Sequence, residues 1–432
     1  MSRRAKNEIV RAASIAYRRA GANPAGLFCE DVPLARLAER HGTPLYVYSS
    51  EMIRARIRTF ERAFGSVPHT ICYSVKANST LAILRLVERE GAGFDVVSGG
   101  ELERVLRVKR ASARHVVFSG VGKTVPEMEL ALKAGILLFN VESPSELRVL
   151  GTAAARLKKR AAVAVRVNPD VSAKTHPYIS TGLHQHKFGV PIAEARELYA
   201  EAARHPSLQV SGVSVHIGSQ ITDVRSFEEA LERVARLVCE LRSHGHDIRY
   251  VDAGGGLGIS YEGKQEDFAA QISAYARAVL KSLHGLGVHV LLEPGRSIVG
   301  AAGVLLTRVI YRKANKSKRF LIVDAGMNDL LRPSLYSAHH EIVPVCKSSN
   351  EMETSDVVGP VCETGDFFAR DRELPAVSEG NLLAILDTGA YGAALGSNYN
   401  TRGRPAEVLV DGTKARLIRK RETFRDTVRL ET

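Results

Sequence analysis

The sequence predicts an α/β protein: a (β/α)8 TIM-type barrel followed by a mostly antiparallel β domain. Three observations carry that expectation. Between about residues 45 and 299, eight short runs rich in β-branched and aromatic residues alternate with helical patterns. Polar or glycine residues stand at the C-terminal ends of most of these runs, where a barrel gathers its chemistry. After Arg296 the alternation stops, and short β-type runs follow with no long helix between them.

Residues 1–44 precede the first barrel strand and are expected to pack with the β domain. The first twenty residues are rich in arginine and poor in acids, which resembles an organelle transit peptide. An exposed helix over residues 7–19 accounts for them more simply. The barrel is assigned to residues 45–299 and the β domain to residues 300–432.

The predicted barrel strands end at Tyr73-Ser-Val75, Phe94-Asp-Val-Val97, Val116-Val-Phe-Ser119, Leu138-Phe-Asn-Val141, Val163-Ala-Val-Arg166, Val213-Ser-Val-His216, Tyr250-Val-Asp252 and Val290-Leu-Leu292. Helical patterns over 81–90, 101–108, 126–134, 145–157, 193–205, 227–244 and 268–286 separate them. Ser143-Pro144-Ser145-Glu146 reads as a capping box with proline at the first helical position. Ser98 to Glu101, Thr124 to Glu127 and Ser226 to Glu229 repeat the pattern. A doubly wound open sheet would show the same alternation. It would not explain Lys76, Asp95, Arg166, His216, the Gly254-Gly255-Gly256 run and Glu293 at so many strand mouths, so the barrel is preferred. In the second domain, β-type runs are expected over 303–311, 320–324, 341–345, 355–361, 382–386, 407–410 and 415–419.

With 432 residues the chain is long enough for two full cores, and its composition (45% hydrophobic, 25% charged) is that of a soluble globular protein. No apolar run approaches the length of a membrane span, and no secretory signal is visible. The five cysteines are scattered without C-x-x-C spacing, which points to a reducing cytosol and away from a disulfide framework or a zinc site. The net charge of +13 is spread out. Its modest clusters over 308–319 and 414–425 lack interleaved aromatics, so they read as solvated surface rather than a nucleic-acid or membrane face.

Lys76 falls where the first barrel strand ends and before the next helix begins. Burial there would push its amine toward the free base, which a Schiff-base lysine needs; a lone lysine at such a place is ordinarily just solvated. Gly254-Gly-Gly-Leu-Gly258 follows the seventh strand. Its glycines let the backbone approach an anion closely, and loops after strands seven and eight are a barrel's usual phosphate site. Glu293-Pro-Gly-Arg296 follows the eighth strand; Glu293 could hold a pyridine nitrogen protonated or form an ion pair with Arg296. His216-Ile-Gly-Ser-Gln220 ends the sixth strand. With no companion ligand at metal spacing, His216 reads as an acid, a base, a ring-stacking face or a core histidine. Cys362-Glu363-Thr-Gly-Asp366, in the second domain, offers a thiol in a turn-like stretch beside an acid.

Taken together these residues resemble the alanine-racemase-type barrel enzymes that use pyridoxal 5′-phosphate, and within them the diaminopimelate decarboxylase family. The resemblance spans almost the whole chain. It runs from Tyr73-Ser-Val-Lys-Ala-Asn78 through His176-Pro-Tyr-Ile-Ser-Thr-Gly182, Lys187-Phe-Gly189, the His216, Gly254 and Glu293 motifs, Asp324-Ala-Gly-Met-Asn-Asp-Leu-Leu-Arg-Pro333, Cys362-Glu-Thr-Gly-Asp366 and Gly389-Ala-Tyr-Gly392.

The resemblance implies that Lys76 carries the cofactor, His216 stacks on its ring and Glu293 pairs with the ring nitrogen. Ser219, Gly255, Gly256, Gly258, Gly295, Arg296 and Tyr391 would hold the phosphate. Arg296, Arg332, Tyr336, Glu363 and Tyr391 would bind the distal end of the substrate. Cys362 would come from the second subunit of a homodimer as proton donor, and the reaction would convert meso-2,6-diaminopimelate to L-lysine and CO2. Two arginines and an acid suit a distal carboxylate and ammonium. That disfavours an ornithine, arginine or carboxynorspermidine decarboxylase, and the joint presence of Lys76, Glu293 and Cys362 disfavours a non-catalytic regulatory relative. Thr364, Ser337 and His184-Gln-His186 depart from the family pattern without touching these positions.

Overall fold

The computed structural model describes residues 14–19, 25–65, 67–108, 110–171, 187–261, 267–347 and 351–432. The chain forms two compact units: Arg56–Gly258 with Asp267–Ile298, and Met1–Ala55 with Ile259–Glu266 and Val299–Thr432.

The first unit is a closed parallel barrel. Its strands are β1 (His69–Ser74), β2 (Gly93–Val96), β3 (Val116–Phe118), β4 (Leu138–Val141), β5 (Ala161–Asn168), β6 (Leu208–Val215), β7 (Tyr250–Asp252) and β8 (His289–Leu292). Each pairs in parallel with the next; β8 pairs with β1, and the β4–β5 ladder closes the ring. All eight strands are those the sequence predicts. Their interior residues are buried apolar side chains, with Cys72, Val117, Leu138, Ala164 and Leu291 forming one cluster, as expected for strands covered on both faces.

The seven predicted helices are present within a few residues of their expected bounds. Thr124 and Glu127 form a reciprocal capping box, and Gly135 ends that helix in the left-handed region at φ +70°. Ser143 Oγ accepts from Glu146 N–H, with Pro144 at the first position. The Ser226 cap is not used. That helix starts at Arg225, where Asp223 Oδ1 accepts the Arg225 N–H at 3.1 Å. A further helix, Ser50–Phe64, was not expected. Ser49 Oγ accepts the Met52 N–H at 3.0 Å at its start, and its Phe60 and Phe64 meet Phe268 and Tyr275 at ring separations of 6.2 to 6.4 Å, so a serine cap and aromatic packing together fix it.

Lys123, after β3, is fully buried and donates to Gly120 O, Asn140 O and Glu146 Oε1, each at 2.7 Å. Those bonds use all three ammonium protons and tie the β3 loop to the end of β4.

The second unit contains a nine-stranded mixed sheet. Its order is Phe367–Pro375, Met352–Val358, Arg319–Val323, Gly303–Ala314, Leu45–Ser49, Ala406–Asp411 and Lys414–Arg419, with Leu382–Ile385 paired to the Gly303 strand and Ile342–Pro344 paired to Leu382–Ile385. Pairing is antiparallel except between the Arg319 and Met352 strands and between the Leu45 and Ala406 strands. Two boundaries differ from the sequence reading. Leu45–Ser49, placed at the start of the barrel span, is a central strand of this sheet. It is buried along its whole length, so its apolar pattern is that of a barrel strand and only its partners tell them apart. Ile15–Arg18, expected within a helix, is a strand paired with Gly26–Cys29; pairing overrides a weak helical pattern in a segment carrying Ile15 and Tyr17. Residues 7–13 lie outside the described residues.

Strand Phe367–Pro375 was missed. Arg370, Asp371, Arg372 and Glu373 break its alternation, and Asp371 takes a positive φ of 45° within it. The Gly26 segment meets the sheet through Leu27 N–H to Val345 O at 2.7 Å and Lys347 N–H to Ala25 O at 3.0 Å.

Candidate active site

The C-terminal mouth of the barrel collects polar side chains in an otherwise apolar core. After β1 a single 3₁₀ turn, Val75–Ala77, carries Lys76. The lysine side chain is one-third exposed, and its Nζ donates to Asp95 Oδ2 at 2.7 Å. The sequence reading expected a desolvated amine; the structure gives it a buried carboxylate partner at the end of β2. Ser74 Oγ donates to the same Asp95 oxygen at 2.7 Å, so Asp95 is anchored before it meets the lysine.

The glycine loop is a close-approach turn. Gly254 and Gly256 hold φ of +69° and +104°. A β-carbon on Gly254, Gly255 or Gly256 would collide with the backbone oxygen of Val215, Glu293 or Gly218 respectively. Gly295 is equally constrained, because a β-carbon there would lie 2.9 Å from the β-carbons of Ser74 and Ala77. The loops after β1, β6, β7 and β8 therefore lock together backbone to backbone. Arg296 is buried and its Nη2 donates to Ser219 Oγ at 3.0 Å, bringing a guanidinium and a hydroxyl to the same rim. At Gly258 a β-carbon would press on Gln220.

His216 is partly exposed at the end of β6. Its Nδ1 accepts the Gly255 N–H at 3.2 Å, so the neutral ring carries its proton on Nε2. Burial, then the charges of Arg166 and Lys76, hold its pKa well below the ordinary histidine value. Arg166 itself donates to Glu142 Oε1 at 3.0 Å and to His216 O at 3.4 Å. Glu142 also accepts from Gly120 N–H and Gly189 N–H.

Glu293 lies deep in the mouth. Ser119 Oγ donates to its Oε1 at 3.0 Å, and Asn140 Nδ2 bonds Ser119 Oγ at 3.0 Å and Asp252 Oδ2 at 2.6 Å. Burial first, and then the charges of Asp252 and Asp95, push the Glu293 carboxyl well above the usual range.

The barrel unit thus brings together Lys76, His216, Ser219, the glycines, Glu293 and Arg296. The other candidates lie in the second unit. Arg332 is buried on the helix Arg332–Tyr336 with its guanidinium 4.5 Å from the Tyr261 ring, and it donates to His340 Nε2 at 2.7 Å. Tyr336 and Tyr391 are half-buried, and Tyr391 has a positive φ of 58°. Cys362 and Glu363 are exposed; Cys362 N–H donates to Asn400 Oδ1 at 2.8 Å. The motifs at residues 176–182 and 184–186 fall outside the described residues. Sequence reasoning passed over Ser74, Ser119, Asn140, Glu142 and Asp252 as site residues. The available signal was a polar residue at or near the end of an apolar strand.

The sequence model described as "Pyridoxal-dependent decarboxylase, pyridoxal binding domain" matches residues 50–300. A diaminopimelate decarboxylase of Pseudomonas aeruginosa is 52% identical over 402 residues, 93% of this chain and 96% of that one. The chain belongs to the diaminopimelate decarboxylase family. Another member, from Neisseria meningitidis serogroup A, is 50% identical over 92% of this chain and 97% of its own length. The crystal structure of diaminopimelate decarboxylase from Helicobacter pylori complexed with L-lysine superimposes with a TM-score of 0.88 at 44% identity, covering 92% of this chain and 99% of that one. Members of this family are enzymes that use pyridoxal 5′-phosphate.

The mouth of this family member's barrel fits that cofactor. An amine, an anion cradle shaped by obligatory glycines, a neutral imidazole and a buried carboxyl stand on successive loops of one rim. Gly256→Ala is expected to weaken cofactor uptake at least about tenfold, because the β-carbon adds strain at positive φ and strikes Gly218 O. Titrating the apoprotein with pyridoxal phosphate and following its absorbance checks this; unchanged affinity would remove the loop from the cradle.

Proposed function

We propose that this chain decarboxylates meso-2,6-diaminopimelate to L-lysine and CO2, the last step of lysine biosynthesis, with pyridoxal 5′-phosphate held on Lys76. The observation that carries the reading is the 52% identity to a diaminopimelate decarboxylase across nearly the full chain, with Lys76, Glu293, Arg332 and the Cys362-Glu363 pair all present. When bound, the cofactor supplies an electron sink for the charge left on the α-carbon by loss of CO2.

The chain's own groups do the rest. Lys76 would hold the cofactor through its side-chain amine. The 254–258 loop, Gly295, Arg296, Ser219 and Tyr391 hold the phosphate. His216, kept neutral by burial and by Arg166, would meet the cofactor ring without adding a charge to it. Glu293 meets the ring nitrogen. Arg296, Arg332, Tyr336, Glu363 and Tyr391 recognise the distal carboxylate and ammonium, a pair that suits bidentate arginine and an acid. Cys362, contributed by the second subunit of a homodimer, returns a proton to the α-carbon. A cytoplasmic location accords with free cysteines and with the absence, among the described residues, of any helix long and apolar enough to cross a membrane.

The test is a decarboxylation assay that compares meso-diaminopimelate, lysine, ornithine and arginine. Release of CO2 from diaminopimelate at a kcat/KM at least about a hundredfold above the others is expected, since a site built to pair charged groups rejects analogues that lack them. A preference for ornithine or arginine would overturn the substrate assignment and leave the cofactor assignment standing.

A further inference from the structure

Among the acids at the barrel mouth, Asp252 is the one whose burial the roles assigned so far do not explain. It ends β7, is fully buried, and its carboxyl works in two directions. Oδ1 accepts the Gly254 N–H at 2.9 Å, fixing the first residue of the glycine loop. Oδ2 accepts from Asn140 Nδ2 at 2.6 Å, and Asn140 continues through Ser119 Oγ to Glu293 Oε1. Asn140 Nδ2 stands between the two acids, 2.6 Å from Asp252 Oδ2 and 3.5 Å from Glu293 Oε1, so each carboxyl lies within the field of the other.

The surroundings decide which of the two keeps its proton. β1 and its 3₁₀ turn present Cys72 and Lys76, β2 presents Asp95, and the helix Phe268–Leu283 presents Tyr275. β3 and β4 add the neutral Ser119 and Asn140. Burial, together with the Asp252 and Glu293 charges, pushes the Cys72 thiol and the Tyr275 phenol up, so neither contributes charge near neutrality. Three carboxyl groups therefore face one ammonium. Burial pushes the Asp252 carboxyl up to about 6, and its two donors, Asn140 and Gly254, keep it from rising further; burial and the charges of Asp252 and Asp95 push Glu293 well above the usual range, so Glu293 is the acid that keeps its proton.

We propose that Asp252 is a positioning residue for the cofactor ring: it holds the glycine loop and keeps a second negative charge against Glu293, so that a proton passes from the Glu293 carboxyl to the ring nitrogen and stays there. The inference rests on the pyridoxal phosphate reading of this site. With the nitrogen protonated, both carboxylates are ionised beside one pyridinium. No proton is gained or lost; it moves from the Glu293 carboxyl to the ring. One side chain thereby couples phosphate placement to ring electronics, across the gap between the β7 and β8 loops.

The test is nitrogen-15 NMR of the holoprotein reconstituted with ring-labelled pyridoxal phosphate, read as a pH titration of the ring nitrogen. Asp252→Asn keeps an oxygen for Gly254 N–H but removes the charge. Its ring should lose the proton at a pH lower by at least about one unit than in the wild type, the size of shift that one nearby charge produces. Cofactor affinity should be retained. Asn140→Ala takes a donor from the Asp252 carboxylate and should shift the midpoint the same way by less. A midpoint equal to the wild type's in Asp252→Asn loaded with cofactor overturns the proposal. If that variant does not fold or load, Asn140→Ala decides by the same criterion. Failure of the wild-type protein to take up pyridoxal phosphate at all would instead overturn the reading of the site, a result visible in its absorbance before any titration.

Discussion

Lys76→Ala is expected to reduce decarboxylation by at least about a thousandfold, because it removes the amine that holds the cofactor and exchanges it with the substrate. The fold should survive. Lys76 lies on a short turn with its side chain one-third exposed, and its carboxylate partner Asp95 keeps the Ser74 hydroxyl when the ammonium is gone. Destabilisation should stay within about 1–3 kcal/mol, the cost of taking one partner from a buried acceptor. Activity loss with an intact barrel is therefore the expected signature, and circular dichroism separates the two. The chemical counterpart is borohydride reduction of the wild-type holoprotein, which should fix the cofactor on the peptide that contains Lys76. Reduction of Lys76→Ala should fix none. A label on Lys123, the buried lysine that already serves three acceptors, or on any other lysine would overturn the assignment.

The place of Lys76 at a barrel mouth was legible in the sequence because the barrel reports itself there; its proposed cofactor role came from the family resemblance. Strands covered on both faces must be apolar, so a lysine, a histidine, a glutamate or three glycines at their ends stands out. The same logic found every barrel strand. It failed where apolar burial has two explanations: Leu45–Ser49 is as buried as any barrel strand, yet its partners are Gly303–Ala314 and Ala406–Asp411. It failed again where charge conceals a strand, as in Phe367–Pro375. The outer shell of the site was the least legible part. Ser74, Ser119, Asn140 and Asp252 act through other side chains, and a single Asn or Asp inside an apolar run does not say whose carboxylate it will meet. Only the closing of the barrel brings β3, β4, β7 and β8 to one point.

The second large effect concerns Cys362. Cys362→Ala is expected to cut kcat by about 10²–10⁴, the usual worth of a positioned general acid, with cofactor absorbance and borohydride labelling at Lys76 unchanged. The thiol belongs to a turn that its own unit holds firmly. Asp366 accepts the N–H groups of Val361 and Met327, each at 2.6 Å, and Asn400 accepts the Cys362 N–H at 2.8 Å. The side chain itself is exposed. A rigid backbone that presents an exposed thiol suits a group delivered to another copy of the chain, as the proposed homodimer requires. Mixing the two inactive proteins, Lys76→Ala and Cys362→Ala, under conditions that exchange subunits then gives a sharp expectation. In a two-fold dimer with shared sites, each heterodimer contains one site with both defects and one with neither. Random exchange makes half of the dimers mixed, so activity should return to about a quarter of the wild-type level. If native mass spectrometry shows heterodimers and activity stays at the level of the separate variants, Cys362 serves the site of its own chain. Near-normal turnover by Cys362→Ala alone would remove it from proton transfer altogether.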